Sequence, residues 1–369
     1  MRIGIDAHHI NGKPQGSRTH LIELVRALAR LTDEEIWIYS FRPEETKEIL
    51  NVSTLIHRRI FPESARFRVP FVTPALELAH RLSLFHSQYI APPASFVPQV
   101  VTIHDILFET HPQLFVGAFS RRSVALIRRS ARRARVVLTV SEYSRRAITE
   151  RYGLGNERVV VTPNAVDPRR YRPRSDTESD LEARYGLRRP YVLNVGRLEP
   201  RKNLERLIRA FGRVRERIDP SLVLALAGDR DFGYETTLSE AARLGEGAVR
   251  WLGPVDDEDL PSLYRGATAL AYPSLAEGFG MPVLEAMACG IPVLSSPRGA
   301  LSEVAGDAAL MIDPEDEEAL AAGLETIHGD ESLRKRLIAR GLARAKCFDW
   351  EESARRTLAA YRVAVERAL

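Results

Sequence analysis

Cysteine is scarce in this 369-residue chain: Cys289 and Cys347 stand alone, without a CxxC spacing. Neither a disulfide framework nor a thiolate zinc site therefore organises the fold, which fits a reducing compartment, and Cys289 in its apolar run is expected simply to pack. No run of about 18 apolar residues occurs, so no helix is expected to span a bilayer. The opening Met1-Arg2-Ile3-Gly4-Ile5-Asp6 reads as a short strand rather than a signal peptide, and the expected location is cytoplasmic, at most peripheral to a membrane face. No GxGxxG follows a strand-like run, which disfavours NAD-dependent hydride chemistry. Internal repeats and low-complexity tracts are also missing.

What is present is a long α/β pattern. A hydrophobic content of 44% and a charged content of 28% are ordinary for a globular protein, and the length suggests two domains. Strand-like runs lie near 3–6, 36–41, 55–60, 84–87, 100–104, 136–140 and 159–162, with helices near 18–31, 117–133 and 142–152. Residues 167–190 carry Pro168, Pro173 and Pro190 and little periodicity, and read as a connection. Strands follow near 191–195, 222–227, 249–252, 269–272, 293–295 and 309–312, with helices near 203–217 and 282–289, the latter closed by Gly290. The expected architecture is two facing Rossmann-like domains, 1–170 and 171–349, with a cleft between them and a last helix at 350–369 capped by Asp349.

Residues 277–285, Glu-Gly-Phe-Gly-Met-Pro-Val-Leu-Glu, place a glycine turn directly before a helix. Gly278 and Gly280 allow a tight turn that exposes backbone N–H groups, and Pro282 suits a first helical position. A helix starting there, near Met281, aims its dipole and the amides of Gly278, Phe279 and Gly280 at an anion. Glu285, one turn inside, suits a vicinal diol such as a ribose, and Glu277 suits a second hydroxylated ring. The alternative is a glycine loop with Glu285 merely complementing the helix dipole. Upstream, the strand 191–195 ends in Gly196-Arg197-Leu198-Glu199-Pro200-Arg201-Lys202-Asn203. Ligands gather at the carboxyl ends of such strands, so Arg197 and Lys202 are expected to converge on the same anion, each being a plain surface charge if taken singly.

Asp229-Arg230-Asp231 has the DxD spacing of metal sites but follows a different strand and lies away from Glu277 in sequence, and reads as a loop feature rather than a metal site. No metal or other cofactor is expected. The net charge of +4 is unevenly spread: residues 1–170 hold 25 Lys/Arg against 16 Asp/Glu, and the remainder 28 against 33. The excess gathers in Arg121, Arg122, Arg128, Arg129, Arg132, Arg133 and Arg135, on a helix whose other face offers Phe115, Phe119, Val124 and Ile127. Such a stripe is either a solvated face or a docking surface for anionic lipid or a lipid-diphosphate acceptor. Nucleic acid is not expected, since no base-reading motif or aromatic platform accompanies it.

The loop 196–203, the run from Glu277 to Glu285, Thr102-Ile103-His104-Asp105, Val161-Thr162-Pro163-Asn164 and Phe348-Asp349-Trp350-Glu351 together resemble the family-4 retaining glycosyltransferases. These segments follow the family's order along nearly the whole chain. The resemblance implies a GT-B fold whose last helix crosses back to the first domain, and transfer of a sugar from a nucleotide diphosphate. It assigns the donor diphosphate to Gly196, Arg197, Lys202 and the amides of Gly278 to Met281, the ribose to Glu285 and the donor sugar to Glu277. It also places His104 beside the transferred sugar, with Asp105 steering its ring, and Asn164 and Gly16 on the donor side. The chain departs from the family in its first loop, where Arg18 stands near a usual glycine position.

Negative charge that builds on the departing diphosphate would be met by fixed cations and a helix end rather than magnesium. No second carboxylate reads as a nucleophile, so same-face departure and attack is expected, with domain closure excluding water. GDP-mannose and its relatives are the expected donors, UDP-sugars second, and a glycan or lipid-linked intermediate the acceptor. A sugar-nucleotide epimerase or glycosidic phosphorylase on the same scaffold, or a non-enzymatic membrane-docking module, are the competing readings.

Overall fold

The computed structural model describes residues 1–12, 16–115, 120–173, 178–245 and 247–366. The chain divides into two compact units, Met1–Asn164 with Asp349–Leu369, and Ala165–Phe348. Each is a parallel sheet sandwiched by helices.

The first unit holds β1 (Arg2–Asp6), β2 (Glu35–Ser40), β3 (Ile56–Arg59), β4 (Leu84–Gln88), β5 (Gln99–Thr102), β6 (Val136–Thr139) and β7 (Val159–Val161), in the order β3-β2-β1-β4-β5-β6-β7. Ile3 sits opposite both Ile36 and Leu84, fixing the register at the sheet centre. Because helices cover both faces, the inner strands β1, β4, β5 and β6 are buried almost throughout, whereas the edge strand β3, Ile-His-Arg-Arg, is partly exposed. The final helix, Trp350–Glu366, packs against the helix Gly16–Leu31 in this first unit, as the resemblance implies. Asp349 Oδ1 accepts from Glu351 N at 3.1 Å at its start, Ser353 Oγ donates to Pro163 O at 2.5 Å, and the Tyr361 hydroxyl lies 2.7 Å from His86 Nδ1.

The basic helix runs from Arg121 to Arg133 and is capped by Ser120, whose Oγ accepts from Ser123 N. Residues 117–119 of the expected helix, Phe119 among them, lie outside the described residues. Several of its arginines are committed to their own unit. Arg128 pairs with the buried Glu109 at 2.5 Å, Arg132 Nε donates to Tyr152 O at 3.0 Å, and Arg133 donates to Pro93 O. One part of the stripe is therefore internal bracing between helices, with the long side chains covering apolar surface.

The second unit holds β8 (Tyr191–Val195), β9 (Val223–Ala227), β10 (Val249–Gly253), β11 (Ala269–Tyr272), β12 (Val293–Ser295) and β13 (Leu310–Met311), in the order β10-β9-β8-β11-β12-β13. Its core joins Leu207, Ile208, Phe211 and Val214 of the helix Leu204–Ile218 to Leu224, Leu226, Leu320 and Leu324. Residues expected to form a connection are packed onto this unit: Glu178 pairs with Arg265 at 2.6 Å, and Ser179 Oγ donates to Asp259 at 2.5 Å. The strand order reverses between β8 and β11, and a ligand crevice opens at the carboxyl ends of two such strands.

Candidate active site

β8 and β11 each deliver a loop to that switch point. The β8 loop begins at Gly196, where φ is +153° and a Cβ would come within 2.9 Å of Lys202 Cε. It closes in the 3-10 turn Pro200–Lys202 and is tied down by Asn203, whose side-chain amide donates to Pro273 O at 3.3 Å and Pro314 O at 2.6 Å. The β11 loop carries Glu277 to Gly280. Gly280, at φ +106°, precedes the helix Met281–Ala288, so Pro282 is its second residue rather than its first.

Between the loops lies a buried ionic cluster. Lys202 Nζ donates to Glu277 Oε1 at 2.7 Å and to the Tyr272 hydroxyl at 2.5 Å, and Tyr272 in turn donates to Glu277 Oε1 at 2.9 Å. Arg201 holds the other Glu277 oxygen at 2.5 Å and reaches Glu199 at 2.5 Å and Ala276 O at 3.0 Å. Burial alone would raise the Glu277 carboxyl, but Arg201 and Lys202 overcome it and bring it down to about 2. Burial and then Arg201 lower the Lys202 ammonium from its usual range, with Glu277 opposing them. Arg201 is raised, since Glu277 and Glu199 outweigh its burial. Both oxygens of the residue expected to hold sugar hydroxyls thus already carry cations.

Arg197 is half-exposed at the rim and pairs with Asp231. The Asp229–Asp231 loop consequently lies against the Gly196 loop. Leu198 N donates to Asp229 O at 2.9 Å, and a Cβ on Gly228 would fall 2.0 Å from Gly196 O. Arg230 is stacked over Trp251 at 4.4 Å and Tyr234 at 5.1 Å. Glu285 is buried, accepts from the Tyr264 hydroxyl at 2.7 Å, and is raised above the usual carboxylate range by burial despite Tyr264, Arg170 and Tyr171. Phe279 is buried edge-on against Phe348, with ring centroids 5.6 Å apart.

The remaining candidates belong to the first unit. His104 follows β5; its ring meets His20 edge-on at 4.7 Å, and burial and then His20, His9 and His86 hold it well below the usual imidazole range. It is therefore neutral, a hydrogen-bonding group rather than an acid. His20 Nδ1 lies 2.8 Å from Asn164 Oδ1, so Nδ1 carries the proton and Nε2 a lone pair. Neither Nε2 has a hydrogen-bond partner among the described residues. Asp105 Oδ1 accepts from Leu107 N at 3.1 Å, starting the turn Leu107–Thr110. Gly16 is the exposed first residue of its helix, and Arg18 Nε donates to Ile10 O at 2.9 Å, bracing the turn His8–Asn11. Arg201, Tyr272, Tyr264 and His20 went unassigned in the sequence; only Arg201 left a signal, as the second cation in Glu-Pro-Arg-Lys.

Burial lowers His20 and His9 to about 4 and His86 to about 3. Below pH 6.5 the unfolded chain takes up protons that these folded sites refuse, so their stability is full above that pH and is lost as pH falls toward 4. His20 alone accounts for about 3 kcal/mol across this window. The fluorescence of a chain keeping only Trp350, in the first unit, should change at higher pH on acidification than that of one keeping only Trp251.

Residues 180–344 match the family described as "Glycosyl transferases group 1", and residues 14–170 the one described as "Glycosyltransferase Family 4". The O-antigen chain mannosyltransferase B of Escherichia coli is 38% identical over 285 residues, covering 76% of this chain and 74% of that protein. The D-inositol 3-phosphate glycosyltransferase of Salinispora arenicola is 33% identical over 79% of this chain and 71% of its own. The serotype-specific mannosyltransferase WbdA of Escherichia coli is 27% identical over 88% of this chain, which spans only 41% of WbdA. Among solved structures, Anabaena HepE in complex with UDP and glucose superposes with a TM-score of 0.77 at 25% identity, covering 97% of this chain and 98% of that one. With both halves matched and the two-sheet architecture shared, the chain belongs to the family-4 glycosyltransferases and has their GT-B fold.

Proposed function

We infer that this glycosyltransferase moves mannose from GDP-mannose to a glycan or lipid-linked acceptor at the cytoplasmic face of a membrane, with retention of configuration and without a metal. The observation that carries the sugar is the 38% identity to a protein named as a mannosyltransferase, against 25% to HepE, whose structure holds UDP and glucose. UDP-sugars are the second reading of the donor. The charge arrangement supports the chemistry. Arg197 at the rim offers a bidentate fork to a diphosphate, backed by the amides at the start of the helix Met281–Ala288, while Lys202 supplies a buried cation behind them.

The same cluster argues against a covalent intermediate on Glu277. A carboxylate held at about 2 by two cations has little basicity left for attack on an anomeric carbon. Same-face transfer asks only that the departing phosphate take the acceptor's proton, and that fixed positive charge accept the electrons of the breaking bond. Neutral His104 then serves as a hydrogen-bond partner to the reacting sugar, as the resemblance implies.

The test is nucleotide release from GDP-mannose and UDP-glucose, each with and without mannan oligosaccharide acceptor and each with and without EDTA. Acceptor-dependent release of GDP, unchanged by EDTA, and an α-linked product by NMR are expected. Release from UDP-glucose alone would transfer the assignment to the second donor. Conversion of the donor without acceptor would favour the epimerase reading, and loss of turnover in EDTA would end the metal-free one.

A further inference from the structure

Between β3 and β4 the chain does something its prolines hide: residues 65–79 form a continuous helical stretch, Ala65–Phe67, Arg68–Val72 and Thr73–Ala79, despite Pro70 and Pro74. Its inner side, Val72 and Leu76, packs on the core of Trp37, Tyr39, Ile60 and Phe85. Its outer side carries Phe67, Phe71, Ala75 and Leu78, at spacings of four, four and three. Phe67 is 54% exposed, Phe71 68%, Leu78 55%, and Phe61 just before the stretch 66%. Phe96 is exposed as well, and its backbone N–H donates to Glu77 Oε2 of the same helix at 2.9 Å, which brings it alongside. Large exposed aromatics on one helical stripe are a costly arrangement in water and mark a face that is covered in use.

The surrounding charge says by what. Residues 56–81 hold five arginines and two glutamates, and one of these, Glu77, is buried against Ser95, Phe96 and Gln99. Arg59, Arg66 and Arg81 are exposed around the stripe. Phenylalanines in the middle with guanidinium groups at the margin match a bilayer interface, where rings enter the acyl boundary and cations meet anionic headgroups. A glycan would instead need carboxylates and amides beside the rings to satisfy its hydroxyls, and the exposed carboxylate on this segment is Glu63 alone.

We propose that the stripe Phe61, Phe67, Phe71 and Leu78, with its arginine margin, docks the first unit on an anionic phospholipid surface. Its use for reaching a lipid-linked acceptor rests on the functional reading above; the binding itself does not. The surface differs from the basic helix Arg121–Arg133, whose Arg128, Arg132 and Arg133 are engaged within the unit.

Flotation of the full chain with vesicles of equimolar phosphatidylglycerol and phosphatidylcholine, against phosphatidylcholine alone, tests it. The wild type should float with the anionic vesicles and come off in high salt. Phe67→Ser with Phe71→Ser should lower the bound fraction about ten-fold, and Arg59→Gln with Arg66→Gln should remove the preference for phosphatidylglycerol. Should the serine pair unfold the chain, Phe71→Glu alone serves, with melting temperature checked against wild type. No flotation of the wild type, or equal flotation of the phenylalanine variants, overturns the proposal. So does retained flotation with lost transfer to a soluble glycan, which assigns the rings to sugar. A shift from dimer to monomer in the variants would assign them to a second copy and overturn it too. Flotation is read without donor, so an absence of sugar transfer counts against the function alone.

Discussion

Replacing Glu277 by Gln should lower the stability of the second unit by about 3–5 kcal/mol, because it leaves two buried cations facing each other without their shared anion. Arg201 keeps Glu199, but Lys202 keeps only the Tyr272 hydroxyl, and the neutral amide has to turn its NH₂ toward one of the two cations. Urea denaturation followed by Trp251 fluorescence reads this directly. Adding Lys202→Met to Glu277→Gln should recover part of the loss, since the double variant removes the stranded charge with its partner. The acid profile gives a second, independent reading. Glu277 falls from an ordinary 4.5 to about 2 in the fold, so its stabilisation is present above 4.5 and is lost as pH falls toward 2. Glu277→Gln should flatten that part of the curve. Equal stability of the variant, with an unchanged acid limb, would mean the cluster is not ionised as drawn. Turnover should fall by about a hundred-fold or more, because Lys202 and the glycine turn are positioned through this carboxylate.

Much of this was legible before any coordinates. The thirteen strands among the described residues lie where strand-like runs put them, and most of them, being buried on both faces, announce themselves without alternation; the edge strands β3, β10 and β13 are less buried. The two loops of the site were legible for the same reason: each follows a strand that is easy to find. What the sequence did not carry was pairing. Nothing in Glu-Pro-Arg-Lys says that Arg201 reaches the second oxygen of Glu277, 76 positions on, or that His20 sits on Asn164, 144 positions on. Nor did the arginines of the helix Arg121–Arg133 reveal which turn inward, since a long aliphatic stem lets a guanidinium reach a buried Glu109 or a backbone carbonyl from a nominally outer position. The stretch 65–79 carries Pro70 and Pro74 inside a helix, where proline is ordinarily disfavoured. A π-type widening at Arg68–Val72 and a proline early in Thr73–Ala79 accommodate them. That the Asp229–Asp231 loop meets Arg197 was likewise not legible, although β9 lies directly beside β8.

Arg197 offers the cleanest separation of catalysis from folding. It is half-exposed and its partner Asp231 is at the surface, so Arg197→Ala should change stability by no more than about 0.5 kcal/mol. If its fork receives the leaving diphosphate, the same substitution should lower kcat by about 10²–10³-fold, the cost of removing one preorganised donor from a developing charge. Arg197→Lys should recover part of that, keeping the charge and losing the bidentate geometry. Asp231→Asn tests the other half of the pair. At present the carboxylate competes with phosphate for the guanidinium, so its neutralisation should tighten nucleoside diphosphate binding several-fold, and the gain should shrink as salt screens the competing charge. A loss of binding instead would mean that Asp231 aims the guanidinium rather than competing for it. An Arg197→Ala enzyme turning over within two-fold of wild type would move the burden of the departing charge to Lys202 and the amides ahead of Met281–Ala288. Lys202 is buried against Glu277, so the amides would then have to carry most of it, and a helix of eight residues has only its first turn to offer.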